Sequence, residues 1–242
     1  MVSIAMILLV GFALGMRHAT DPDHVVAVTT IVAKQRGVGQ AGLIGALWGL
    51  GHTFTIFAVG AAITLFGVAI PPRLGLSMEF AVACMLILLG VLNLTGMLRR
   101  VQERFLANPL VPKAGEMLRA NGRPDMFRDL GAFNVFRPLL IGIVHGLAGS
   151  AAVALLVMTT IRDPWWAIAY LLLFGLGTVA GMILITALIA MPIVWSQRRF
   201  SGWNQGISVF SGLISVGFGF FLTYQIAIVN GLFSNRPQWT PH

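Results

Sequence analysis

The segment Arg17–His24 near the start of the chain contains two histidines, two aspartates and one arginine within eight residues. Apolar stretches flank it on both sides, with Ser3 as the only polar side chain upstream. Ionisable groups at membrane depth cost roughly 2.5–3.5 kcal/mol each on insertion scales, so this cluster requires a compensating partner. Imidazole nitrogens and carboxylate oxygens are metal ligands. A divalent ion that crosses the membrane is the simplest partner for these ionisable groups.

Histidines elsewhere in the chain extend this candidate site. Four of the five histidines fall inside apolar segments, and they lie on three different segments at similar depth. The predicted metal-binding residues are His18, Asp21, Asp23, His24, His52 and His145. We expect His18, Asp23 and His24 to bind the ion directly, with Asp21 and His52 next. For His145 taken alone, a hydrogen-bonded packing role is the alternative.

The local geometry requires a break in the helix that carries the cluster. On a regular helix His18 and Asp21 share a face, whereas Asp23 and His24 point elsewhere. Pro22 lacks a backbone donor and disfavours helix at the preceding residue, so we expect a kink that gathers the four side chains. Histidine-rich sites with some carboxylate suit nickel, cobalt, zinc or copper, whereas magnesium and calcium prefer oxygen ligands.

The composition places these residues in a membrane protein. Of the 242 residues, 57% are apolar and 10% are charged, and the mean hydropathy is +0.86; a soluble domain carries about 25% charged residues. Six apolar segments are long enough to span a bilayer, for which about 20 residues are needed. They are approximately Ile4–Ala33, Ala41–Ile70, Met78–Leu98, Val135–Ile161, Trp165–Val194 and Trp203–Val229.

The first segment is too long for one straight helix and too short for two complete spans. We interpret it as one segment with a break, or as two half-helices that meet at the polar cluster. Irregular backbone at membrane depth is tolerated only where it lines a cavity or is buried in protein. The break and the ionisable residues therefore indicate the same buried site.

Basic residues predict the orientation. Twelve lysines and arginines lie in the connections after the first, third and fifth segments, and three lie in the opposite connections and the C-terminal tail. This asymmetry places both termini outside and the basic connections in the cytoplasm. It also accounts for the net charge of +8 without a nucleic-acid partner. Residues 99–134 are predicted to form a cytoplasmic linker.

Weak internal similarity divides the chain into two membrane halves, residues 1–98 and 135–242. Leu47–His52 resembles Leu173–Thr178 at an offset of 126 residues. Two further pairs share an offset of 127 residues, and they are His18 with His145 and Gly90 with Gly217. Halves of three spans each have opposite orientations, and inverted repeats with a broken helix are typical of transporters. Chance similarity between apolar segments is the alternative.

The segment Arg17–Val25, RHATDPDHV, resembles the RHAxDADHI signature of the nickel/cobalt transporter (NiCoT) family and preserves its His-x4-Asp-His core. Leu50–Thr53 is similar to the LGHS-type element of the next helix in that family. The resemblance implies that His18, Asp23 and His24 select the metal and that His52 supports them. Pro22 and Val25 depart from the signature, and residues 143–152 replace an LGxDTATE element. These departures place the chain nearer the six-span, urease-accessory-like branch of the superfamily.

These observations predict an all-α, polytopic membrane protein of about six spans that acts as a permease in the plasma (inner) membrane. Its cargo would be Ni²⁺ first and Co²⁺ second, with the metal ion and the lipid bilayer as partners, no nucleic acid and no prosthetic group. We expect a transporter rather than an enzyme. The alternatives are an exporter that uses the same site in reverse, and an intramembrane oxidoreductase of the di-iron or b-type haem kind. A homo-oligomeric state and a metallochaperone partner are left open.

Overall fold

The computed structural model describes residues 4–33, 35, 37–66, 70–97, 132–147, 161, 163–199, 203–234 and 237–239, and these form helices without strands. The seven α-helices of the described chain are α1 (Ile4–His18), α2 (Pro22–Val32), α3 (Val38–Phe66), α4 (Pro72–Leu94), α5 (Ala132–Gly146), α6 (Pro164–Arg199) and α7 (Trp203–Tyr224). A π-helical turn, Gln225–Val229, continues α7. Four of these helices, α3, α4, α6 and α7, are long and apolar enough to cross a membrane, and α1, α2 and α5 are shorter apolar helices. The prediction of a polytopic, all-α membrane protein is confirmed.

The first apolar segment is broken where the sequence predicts it. α1 ends at His18 and α2 begins at Pro22. Pro22 occupies the first turn of α2, where a missing N–H costs no intrahelical hydrogen bond. The turn between the helices is closed by the Asp21 N–H, which donates to the His18 carbonyl at 3.1 Å. The second part of the predicted fourth segment, residues 148–160, and the predicted linker up to residue 131 lie outside the described residues.

Two antiparallel helix pairs form the body of the bundle. α3 packs against α6, and α4 packs against α7. α1 lies on α6, and α5 lies on α3. α2 contacts α4, α6 and α7, so it lies between the two pairs. Its buried apolar side chains, including Val28 and Val32, belong to the largest hydrophobic cluster of the described chain.

Glycine contacts repeat between the two halves. A Cβ atom at Gly15 of α1 would collide with the carbonyl oxygen of Phe174 on α6. A Cβ atom at Gly142 of α5 would collide in the same way with the carbonyl oxygen of Trp48 on α3. The two glycines are 127 residues apart and their two partners are 126 residues apart. The contact of α1 with α6 therefore has a counterpart in the contact of α5 with α3.

The correspondence of Gly90 with Gly217 stays a prediction. A Cβ at Gly90 would lie 2.7 Å from the carbonyl oxygen of Gly212, whereas a Cβ at Gly217 would meet no atom of the described chain within 4 Å. The close contact of this part of α7 with α4 is made at Gly219, where a Cβ would lie 3.0 Å from the carbonyl oxygen of Ala83. Gly217 and Gly219 are two residues apart and lie on different faces of α7.

Polar side chains join the second helix pair. The Asn93 side chain on α4 donates to the Ser208 carbonyl of α7 at 2.9 Å, and the Ser208 hydroxyl donates back to the Asn93 amide oxygen at 2.9 Å. The Thr30 hydroxyl on α2 donates to the Ser211 carbonyl at 3.2 Å. Such bonds between membrane helices contribute about 0.6–2 kcal/mol each. The first two bonds hold α4 against α7, and the third holds α2 against α7.

We expect Gly142→Ala to destabilise the protein by about 1–3 kcal/mol, the usual cost of overpacking. The added methyl group would meet the backbone of α3, which cannot rotate away. The matched control is Gly217→Ala, where the space is open and helix propensity favours alanine by roughly 0.5–1 kcal/mol. Thermal unfolding of the purified variants measures both effects. Equal midpoints for the two variants would contradict the close approach of α5 and α3.

Candidate metal centre

Four imidazole rings from four helices meet in the interior of the bundle. His18 ends α1, His24 lies in the first turn of α2, His52 lies in the middle of α3, and His145 lies in the last turn of α5. His24, His52 and His145 are fully buried and His18 is 6% exposed. The centroid of the His24 ring is 4.3 Å from that of His145, 4.7 Å from that of His18 and 4.9 Å from that of His52.

The two aspartates of the cluster hold three of these rings. Asp21 Oδ2 is 2.8 Å from His18 Nδ1. Asp23 Oδ1 is 3.1 Å from His24 Nδ1, and Asp23 Oδ2 is 2.9 Å from His145 Nε2. A carboxylate that accepts the N–H of an imidazole fixes its tautomer and orientation, an arrangement common around metal ligands. Asp23 thereby joins α2 to α5 across the centre.

Other ring nitrogens could also bind an ion. His18 Nε2 and His52 Nε2 lie 2.9 Å apart, within hydrogen-bond distance, and an ion bound by both would displace the proton between them. His24 Nε2, His52 Nδ1 and His145 Nδ1 are buried and have no hydrogen-bond partner within the described chain, although buried polar atoms normally have one. Metal–nitrogen bonds of about 2.0–2.1 Å bring neighbouring ligand atoms about 3 Å apart, close to the His18–His52 separation.

Two groups of three residues could each hold an ion. One group is His18, His24 and His52, and the other is Asp23, His24 and His145. Within each group the potential ligand atoms lie within 4.8 Å of one another. His24 belongs to both groups.

Sequence reasoning assigned no role to Trp48. Its ring stacks on His24 at a centroid distance of 5.4 Å and meets His145 edge-on, also at 5.4 Å. Trp48 is fully buried and lies one helical turn before His52, a spacing that places both on the same face of α3. That spacing is the signal that could have identified it.

All six residues predicted for the site are brought together here. Asp21 and Asp23 contact the Nδ1 atoms of His18 and His24, and His145 contacts Asp23. The Arg17 side chain is exposed, so in the described chain the histidines, rather than this arginine, pair with the two carboxylates.

The comparison with known proteins covers nearly the whole chain. The sequence is 36% identical over 232 residues to the urease accessory protein UreH of Bacillus sp. (strain TB-90), and the match covers 96% of each protein. The chain belongs to the UreH family. UreH is a member of the nickel/cobalt transporter superfamily, so the resemblance found in the sequence is confirmed. Neither a protein-family model nor a solved structure matches the chain.

Binding of Ni²⁺ to this UreH-family centre should quench tryptophan fluorescence, because an open-shell ion bound by His24 would lie next to the Trp48 indole. We expect a saturable loss of emission on titration of the purified protein with NiCl₂, and no loss with MgCl₂. Trp48→Phe should remove most of this quenching. Trp166→Phe, which changes a partly exposed indole at the start of α6, is the matched control. Equal quenching in the two variants would show that the ion binds elsewhere.

Proposed function

We propose that this protein carries Ni²⁺ across the membrane, with Co²⁺ as the second cargo, through the His/Asp site at the break between α1 and α2. The observation that carries this proposal is the group of three buried imidazoles, His18, His24 and His52, inside an apolar helix bundle. The relationship to a urease accessory protein supports a nickel-related transport or delivery role.

The chemistry of the site suits a transported ion. Imidazole nitrogens bind nickel and cobalt well, and neither thiolates nor an all-oxygen shell is present among the six site residues. Asp21 and Asp23 orient His18 and His24 and supply negative charge that offsets the cost of a dehydrated cation. Three protein ligands leave coordination positions open, so water or the next ligand can replace them as the ion leaves.

The protein is an integral membrane protein, and we propose the plasma (inner) membrane as its location. In this proposal the halves formed by residues 1–98 and 135–242 rock against each other about the site, and the linker of residues 99–134 lies in the cytoplasm. The repeated glycine contacts of α1 with α6 and of α5 with α3 support two related halves. Inverted repeats with a site at a broken helix are the general design of such carriers.

We expect His18→Ala or His24→Ala to abolish nickel accumulation, because each removes one of only three imidazole ligands from a buried site. Uptake of radioactive nickel by cells that express the variant at normal levels measures this. Val28→Ala, one turn after His24 on the same buried face of α2, is the matched control and should accumulate nickel. Normal uptake by a well-expressed His24→Ala variant would refute the proposal.

The direction of transport is tested by metal toxicity. An importer sensitises cells to external Ni²⁺, whereas an exporter that uses the same site protects them. We expect sensitisation that disappears in His24→Ala. If the protein instead protected cells from Ni²⁺, and His24→Ala removed this protection, the protein would be an exporter that uses the same site.

The cytoplasmic position of the linker is tested with a single reporter cysteine. In a Cys84→Ser background, which removes the one native cysteine, we expect Ala114→Cys to react with a membrane-impermeant maleimide in inverted vesicles and to be protected in intact cells. Labelling in intact cells would place the linker outside and reverse the predicted orientation.

A further inference from the structure

His24 is the one residue common to both groups of potential ligands. Resting on the proposed transport function, we infer that the ion occupies two positions in turn. In the first position it is bound by His18, His24 and His52, and in the second by Asp23, His24 and His145. His24 is a ligand in both positions, whereas the other two ligands differ.

The distances between potential ligand atoms suit a transition-metal ion in both positions. His18 Nε2 and His52 Nε2 are 2.9 Å apart in the first, and Asp23 Oδ2 and His145 Nε2 are 2.9 Å apart in the second. Each pair is within hydrogen-bond distance, and a bound ion would replace the proton between the two atoms. Both values are close to the spacing of about 3 Å between neighbouring ligands of a transition metal with bonds of about 2.0–2.1 Å. The two positions are therefore alternative three-residue sites that share the ligand His24.

The His24 ring can serve only one position at a time. Its Nδ1 lies 3.1 Å from Asp23 Oδ1, on the side of the second position, and its buried Nε2 has no hydrogen-bond partner among the residues that the structure describes. A neutral imidazole has one N–H and one lone pair, on opposite nitrogens. Two divalent ions on one ring would also repel each other strongly at low dielectric. The pair of positions therefore holds one ion, which moves between them.

The second position includes a ligand from the other half of the chain. His18, His24 and His52 all belong to residues 1–98, whereas His145 lies on α5. The residue that corresponds to His52 at the repeat offset is Thr178, which is buried but has a hydroxyl in place of an imidazole. The second half therefore lacks the counterpart of the first position. His145 completes a site only with Asp23 and His24, across the contact between the halves.

The change of ligands makes release from the second position easier than release from the first. The ion exchanges two imidazoles for one imidazole and one carboxylate, and carboxylate oxygen is the less preferred donor for nickel. The second position should bind Ni²⁺ more weakly than the first. Transfer to the second position therefore costs the difference in affinity between the two positions, and the ion dissociates more readily once it has reached the contact between the halves.

The first test separates binding from transport with His145→Gln. The glutamine amide can still donate a hydrogen bond to Asp23 but is a poor ligand for nickel. With the full-length purified protein, we expect calorimetry to give a Kd for Ni²⁺ close to that of wild type, and transport into proteoliposomes to fall by about tenfold or more. Ile141→Ala, one turn earlier on α5 and also buried, should transport like wild type.

The second test detects the second position directly. His52→Ala should retain weak Co²⁺ binding through Asp23, His24 and His145, visible in the absorption spectrum of the bound Co²⁺. The double variant His52→Ala/His145→Gln should lose this residual binding, whereas His52→Ala/Ile141→Ala should keep it. If α5 had only a structural role, the two double variants would bind Co²⁺ to the same extent.

Three results would overturn the two-position inference. They are wild-type transport by His145→Gln, loss of Ni²⁺ binding by His145→Gln as complete as in His52→Ala, and equal Co²⁺ binding by His52→Ala with and without His145→Gln. Failure of the unaltered protein to bind or transport Ni²⁺ would instead overturn the proposed function. The two kinds of failure are distinguished by the wild-type measurement.

Discussion

Ionisable side chains inside an apolar helix bundle need partners, and here the aspartates and histidines are partners of one another. Asp23 contacts His24 on its own helix and His145 on α5. Removal of one partner leaves the other buried without its hydrogen bond, which costs about 1–3 kcal/mol or more for a charged group, so each member constrains the positions of the others. The end of α1 at His18, the start of α2 at Pro22 and the approach of α5 to α3 all satisfy this one requirement.

Close backbone contacts make the arrangement rigid before any ion arrives. Gly142 and Gly146 of α5 bring its backbone against Trp48 and His52 of α3, so the His145 and His52 rings are placed by backbone rather than by long side chains. Packing between small residues is a major source of helix association in membranes. It also fixes ring separations with little freedom, as a site with precise donor spacing requires.

Much of the site could be predicted from the sequence because polar residues in apolar segments are costly and therefore informative. Pro22 located the helix break, and the histidines identified the converging segments. The sequence could not assign individual nitrogens, because the contact of Asp23 with His145 depends on how α5 packs on α3. The role of Trp48 depends on the same packing. The contact of Gly219, rather than Gly217, with α4 depends on a register between α4 and α7 that repeated glycines leave ambiguous.

The all-imidazole character of the first position has a consequence for competing metals. In the Irving–Williams order Cu²⁺ binds nitrogen sites more tightly than Ni²⁺, which in turn exceeds Co²⁺. The donor atoms of His18, His24 and His52 therefore rank copper above the proposed cargo. Discrimination against copper has to come from coordination geometry or from the scarcity of free copper at the membrane surface. Where free copper is abundant, we expect it to compete with nickel for these three imidazoles.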